Sequence, residues 1–146
     1  MPEKILRTAF TVPAPPRDVY DHLMRAENYI GLSPLVVAVH DVAAGSYVAV
    51  ERFRFLGFLT HDNHIRVSLL GTPGEAVWGE VRSPGGVALG YRFALSAVPE
   101  GTLIEDTLTL RTPPGLLRYA ARQAGAVQRS RAVILAERAR TFASAP

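Results

Sequence analysis

The sequence predicts an α+β fold: a curved antiparallel sheet of about seven strands, two short helices after the first strand, and one long closing C-terminal helix. Three observations carry this. The stretch from Pro113 to Ala143 has no proline after Pro114 and is rich in Ala, Leu, Arg and Gln, residues that favour helix. Most of the chain from Pro34 to Arg111 consists of alternating apolar and polar runs of strand length, punctuated by Gly- and Pro-containing turns. Between the first alternating run and this region lie two segments of helical spacing.

The chain opens with alternation from Lys4 to Val12, placing Leu6, Thr8, Phe10 and Val12 on one side of a first strand. Pro13-Ala14-Pro15-Pro16 ends it and starts a short helix in which Val19, Tyr20, Leu23 and Met24 recur at helical spacing. A second short helical piece is expected within Ala26 to Ser33. Strands follow at Leu35–Val42, Tyr47–Leu56, Phe58–Leu70, Ala76–Arg82, Val87–Val98 and Thr102–Arg111. Ser83-Pro84-Gly85-Gly86 is a hairpin signal, and Pro99-Glu100-Gly101 turns the chain into its last strand.

Pro113-Pro114-Gly115 marks the expected helix start, since proline suits a first turn whose N–H groups have no intrahelical partner. The helix would be roughly 40 Å long. At 100° per residue, Leu116, Leu117, Ala120, Ala124, Val127, Ile134, Leu135 and Phe142 share a broad apolar face, with Arg118, Arg122, Arg129 and Arg140 opposite. Arg131 falls near the middle of the apolar stripe and Arg138 falls inside it. Small residues at 120 and 124 followed by an inward cation suggest a cavity between helix and sheet.

Composition narrows the function. The 146 residues are 48% hydrophobic and 20% charged, which fits one globular domain, residues 1–146, with its own core. The net charge is +3, and Lys4 is the only lysine among sixteen basic residues; this Arg- and Ala-rich usage suits a bacterial, GC-rich coding sequence. The basic residues are scattered without aromatic partners, so no nucleic-acid partner is expected. With no cysteine there is no disulfide or thiolate chemistry. No signal-like core or membrane-length apolar run is present, so a cytoplasmic protein without integral membrane association is expected. The oligomeric state stays open, a homodimer included.

Strand alternation supplies the candidate site. Glu51 shares a face with Tyr47, Phe53 and Phe55, away from Arg52 and Arg54; Asp106 shares one with Ile104, Leu108 and Leu110. Both carboxylates then point to the covered side, where charge is costly unless paired, and Arg131 is the candidate partner. Such a pair either fixes helix on sheet or forms the polar end of a pocket. A register error of one residue would turn these groups to water. Tyr29, Tyr47, Phe53, His61, Tyr91, Phe93 and Ala124 complete the candidate ligand contacts, with Glu51, Asp106 and Arg131.

No metal site is expected: His61 and His64 alternate to opposite strand faces, and His22 and His40 have no partner at ligand spacing. No cofactor is expected either, because no glycine-rich loop follows a strand and opens a helix in phosphate-binding fashion; separately, no nucleophile-elbow pattern supports a Ser-His-Asp triad.

Three segments carry a family resemblance. Val12-Pro13-Ala14-Pro15-Pro16-Arg17-Asp18-Val19-Tyr20 resembles the strand-to-helix opening of the helix-grip superfamily, which includes StAR-related lipid-transfer domains, pollen allergens and bacterial polyketide cyclases. Ala26-Glu27-Asn28-Tyr29-Ile30-Gly31-Leu32-Ser33-Pro34 resembles its second helix, where many members have an aromatic at the position of Leu32. Tyr91-Arg92-Phe93, followed by Val98-Pro99-Glu100-Gly101-Thr102, resembles its late aromatic strand and Gly-Thr turn. Within the superfamily the chain looks most like the polyketide cyclase/dehydrase and lipid-transport group, and Arg129-Ser130-Arg131 resembles the closing helix of aromatase/cyclases.

The resemblance implies binding or transport of a small hydrophobic or polyketide-like molecule. As a second reading it admits a polyketide aromatase/cyclase that closes an aldol ring and dehydrates it. In that case Arg131 would stabilise an enolate oxygen, while Glu51, Asp106 or His61 moved a proton. Tyr29, Tyr47 or Tyr91 would donate to carbonyls. The third alternative is a ligand-free interaction or stress-regulator module, which would have a filled interior and an exposed apolar patch.

Overall fold

The computed structural model describes residues 2–55, 59–83 and 86–142, with backbone alone at 53–55. The chain runs β1 (Glu3–Val12), α1 (Pro16–Leu23), a 3-10 turn (Ala26–Tyr29), β2 (Val36–Ala43), β3 (Ser46–Phe55), β4 (Leu59–Ser68), β5 (Leu70–Thr72), β6 (Ala76–Arg82), β7 (Ala88–Val98), β8 (Gly101–Arg111) and α2 (Leu117–Phe142). The strands form one curved antiparallel sheet in the order β1-β8-β7-β6-β4-β3-β2, with β5 paired to β6. The first and last strands of the chain are thus neighbours, and β1 and β2 form the open edges.

Alternation fixes which face each strand buries. In β8, Thr102, Ile104, Asp106, Leu108 and Leu110 are buried while Glu105 is exposed, so period-two patterning set both the strand and its facing. The same holds in β1, where Leu6, Thr8, Phe10 and Val12 are the more covered set. Trp78, whose facing the sequence left open, lies across from Arg92 and under its guanidinium, 5.7 Å from the ring centre. It therefore sits on the outer face, away from Val77 and Gly79.

Two boundaries differ from the sequence expectation. The single strand expected through Leu70 is broken after Ser68, and the piece beyond it re-pairs with β6 as β5. The Ser68 carbonyl accepts the Tyr91 hydroxyl at 2.6 Å, and the Ser68 hydroxyl accepts the Glu80 N–H at 2.7 Å. The break is possible because residue 79 is glycine: a Cβ there would overlap the Ser68 carbonyl oxygen. The long helix begins at Leu117 rather than at Pro113, because Gly115 takes φ +88°, which a right-handed helix cannot accommodate. The expected strand ends at Leu56 and Phe58 and the turn residues Pro84 and Gly85 lie outside the described residues.

Two of the family-like segments meet in space. Thr102 donates its hydroxyl to the Ala14 carbonyl at 2.6 Å, both buried, and Gly101 at φ +140° packs its α-carbon against the Val12 carbonyl. The Gly-Thr turn therefore pins the point where β1 hands over to α1. At the other end of the chain, Arg138 donates to the carbonyls of Asn28 (2.6 Å) and Ile30 (3.0 Å), tying the last turns of α2 to the 3-10 turn. Its guanidinium also faces His22 Nε2 at 3.2 Å. Burial, then the Arg138 and Arg25 charges, lower the His22 pKa to about 4, so the ring is neutral and serves as acceptor.

Candidate functional site

Helix α2 rests mainly on β1 and β8, one end of the sheet. The strands at the other end curve past it without filling the space between. The result is a cavity of about 390 Å³ whose sheet side is lined by alternate residues of each strand: Tyr47, Ala49 and Glu51 of β3, Asn63, Ile65 and Val67 of β4, Leu89 and Tyr91 of β7, and Leu108 and Leu110 of β8. The helix side is Ala120, Gln123, Ala124, Val127 and Arg131, a stripe spaced by threes and fours. Alanines at 120 and 124 are why the space exists, since larger side chains at those steps would fill it. Leu116 and Tyr119, 44% and 67% exposed, sit at the mouth.

The two halves of α2 do different things. Its N-terminal half faces the cavity, whereas Gln128, Arg131, Leu135 and Ala139 are buried against the core. Gln128, absent from the sequence-based candidates, donates to the backbone carbonyls of Leu6 (3.3 Å) and Asp106 (3.0 Å). It clips the helix across β1 and β8. A glutamine at a buried helical step was the available signal, but its value depended on two carbonyls more than twenty residues away.

Arg131 stands where the two halves meet. It donates from Nη2 to Asp106 Oδ2 at 2.8 Å, and its guanidinium carbon lies 4.6 Å from the Phe93 ring centre. The ion pair is almost fully buried, and Asp106 Oδ1 and Arg131 Nε have no hydrogen-bond partner among the described residues. Arg131 also touches the electrostatics of three tyrosines. Tyr29, Tyr47 and Tyr91 all have their pKa raised by burial, with the Arg131 charge acting in the opposite direction. All three are neutral phenols, able to donate.

Their hydroxyls are not equally engaged. Tyr29 donates to the Leu23 carbonyl at 2.8 Å and Tyr91 to the Ser68 carbonyl. Tyr47, its ring 6.0 Å from that of Tyr29, has no hydrogen-bond partner among the described residues. The cavity lining thus brings the Arg131 guanidinium and the unengaged Tyr47 phenol together with Tyr29 and Tyr91.

Of the ten sequence candidates, Tyr29, Tyr47, Glu51, Tyr91, Ala124 and Arg131 line the cavity. Asp106 does not line it; it stands behind Arg131 as its counter-ion. Phe93 is fully buried core under the guanidinium rather than lining. His61 is exposed and does not line this cavity, because β4 at that point runs past the part of the sheet that α2 covers. The side chains of Phe53 and Phe55 lie outside the described residues. The suggested pairing of Arg131 divides: Asp106 takes it, and Glu51 has no ion-pair partner among the described residues. Glu51 lies opposite Asn63, and burial raises its pKa.

Among the described residues no group of three or more His, Cys, Asp or Glu side chains is arranged to hold a metal. No helix among them is long and apolar enough to cross a membrane.

No protein-family model matches the sequence, and no curated protein matches it. Solved structures do match in shape. A START superfamily protein from Mycobacterium smegmatis aligns with TM-score 0.76 at 13% identity, over 94% of this chain and 98% of that one. The Zhui aromatase/cyclase from Streptomyces sp. R1128 aligns with TM-score 0.75 at 13% identity, over 94% of each chain. The di-domain ARO/CYC StfQ from the steffimycin biosynthetic pathway aligns with TM-score 0.73 at 12% identity, over 98% of this chain. This chain spans 52% of StfQ, about half its length. At such identities the likeness is one of fold, and with its curved sheet, α2 and the cavity between them, this chain has the helix-grip fold that START proteins and polyketide aromatase/cyclases share.

Proposed function

We propose that the protein binds and carries a small, elongated, largely apolar molecule of polyketide-like character, with residues 1–146 acting as one ligand-binding domain. One observation carries the reading: a cavity of about 390 Å³ with mainly apolar walls, lined also by Arg131 and by Tyr47, whose hydroxyl feels the Arg131 charge and bonds to no described residue. Such a volume suits a small organic ligand. Burying ten methylenes would contribute on the order of 8 kcal/mol before entropic costs, and the phenol and guanidinium would orient a carbonyl or phenolate oxygen. A ligand-free module would have its interior filled, which the alanines of α2 work against.

A cyclase is the second reading, favoured by Glu51, a cavity carboxyl that burial holds above its ordinary pKa and that has no ion-pair partner among the described residues. Enolate chemistry needs base and oxyanion donor at the same carbon. Glu51 lies four residues along β3 from Tyr47, about 13 Å at strand spacing, and Arg131 does not figure among the causes of its shift. The polar groups do not converge, which favours carriage over turnover.

Native mass spectrometry of freshly purified protein tests the reading, set against the denatured mass. A bound species of a few hundred daltons, lost in Ala124→Trp while that variant keeps its fold, is the expected result. Bare protein that takes up no member of a lipid and aromatic polyketide panel would overturn it.

A further inference from the structure

The outer face of β2, β3 and β4 holds a histidine pair that has no part in the cavity. His40 of β2 lies across from Val48, and His64 of β4 lies across from Val50, so both stand on the face opposite Ala49, Glu51 and Ile65. They reach over the intervening strand: His40 Nε2 is 3.3 Å from His64 Nδ1, with ring centres 5.4 Å apart. Val50 lies beneath that side yet is only 7% exposed. On its other nitrogen, His40 Nδ1 meets the Asp41 carboxylate at 3.0 Å.

The geometry points to a two-histidine site for a borderline divalent cation of the zinc, nickel or copper class. Two nitrogens each about 2.0–2.1 Å from a tetrahedral metal stand about 3.3 Å apart, the separation found here. Asp41 supplies what such a ligand needs behind it. A carboxylate accepting from Nδ1–H fixes the tautomer and the ring orientation and leaves the lone pair on Nε2. In the empty pair one proton lies between Nε2 and Nδ1. A cation replaces it as His64 moves its proton to Nε2, and water completes the coordination.

The local backbone is built for this arrangement. The β2 register is irregular between His40 and Ala43, and Asp41 takes φ +51°, a region that Asp and Asn enter more readily than other side chains. Imidazole donors select against magnesium and calcium, which prefer oxygen.

The test is calorimetric titration of tag-free, chelator-stripped protein with zinc chloride, nickel chloride and magnesium chloride. One zinc per chain and no magnesium are expected. His40→Ala and His64→Ala should each abolish saturable zinc binding, with unchanged melting temperature confirming that these exposed positions leave the fold intact. Asp41→Asn, which suits the same backbone conformation, should weaken zinc by about 10- to 100-fold while keeping the stoichiometry. Absence of saturable zinc binding by the wild-type protein, undiminished binding by His64→Ala, or equal affinity for magnesium overturns the proposal.

Discussion

Replacing Arg131 by Met separates the two roles this residue combines. Its guanidinium is the only charge partner of Asp106 among the described residues, and the Asp106 side chain is 0% exposed. Methionine fills much of the same volume but leaves a buried carboxylate with one oxygen newly orphaned and the other already without a partner. Breaking a buried pair in this way costs about 3–5 kcal/mol. For a chain of this size that lowers the melting temperature on the order of 10 °C. The double variant Arg131→Met/Asp106→Leu removes both charges, and apolar replacement of a whole buried pair is roughly neutral; it should recover most of the loss. Chemical denaturation of the wild type, both single variants and the double gives the coupling energy directly. An Arg131→Met variant within 1 kcal/mol of wild type, or a double variant no more stable than the single, would refute the reasoning. The double variant then isolates the binding role: with the fold restored, ligand retention in native mass spectra should still fall.

Four further outcomes are expected. Gly79→Ala should destabilise severely, by about 3 kcal/mol or more, since its Cβ meets backbone at Ser68 rather than a side chain that can move; urea unfolding reads this. Tyr91→Phe orphans the Ser68 carbonyl and should cost about 1–2 kcal/mol in the same assay. Tyr47→Phe, whose hydroxyl bonds to no described residue, should leave stability almost unchanged and instead weaken capture of oxygenated ligands. Glu51→Gln should raise the melting temperature at neutral pH. Burial raises the folded-state pKa of Glu51, so its ionisation opposes folding as pH rises through the carboxylate range and beyond. The gain should therefore vanish on acidification below the unfolded carboxylate value of about 4.3.

The sequence by itself determined most of the elements and most of their facings, because period-two and 3.6-residue patterns are local records of which side will be covered. Asp106 and Glu51 were legible as inward carboxylates, Arg131 as an inward cation, and Ala120 and Ala124 as a thin place in the helix face. Tertiary structure decided which of these groups meet. Arg131 reaches Asp106 and not Glu51 because α2 lies on β1 and β8, and nothing in the alternation of β3 or β8 encodes where a helix will rest. His61 shows the same limit: its residue type suits chemistry, but it stands on β4 beyond the helix's cover. The break after Ser68 follows from a carbonyl that only Gly79, eleven residues later, leaves room for. His40 and His64, at unremarkable separation in the chain, become neighbours because β2 and β4 flank β3 in register. Local periodicity fixes a side chain's direction, whereas its partner depends on sheet order, register and curvature, which long-range pairing sets.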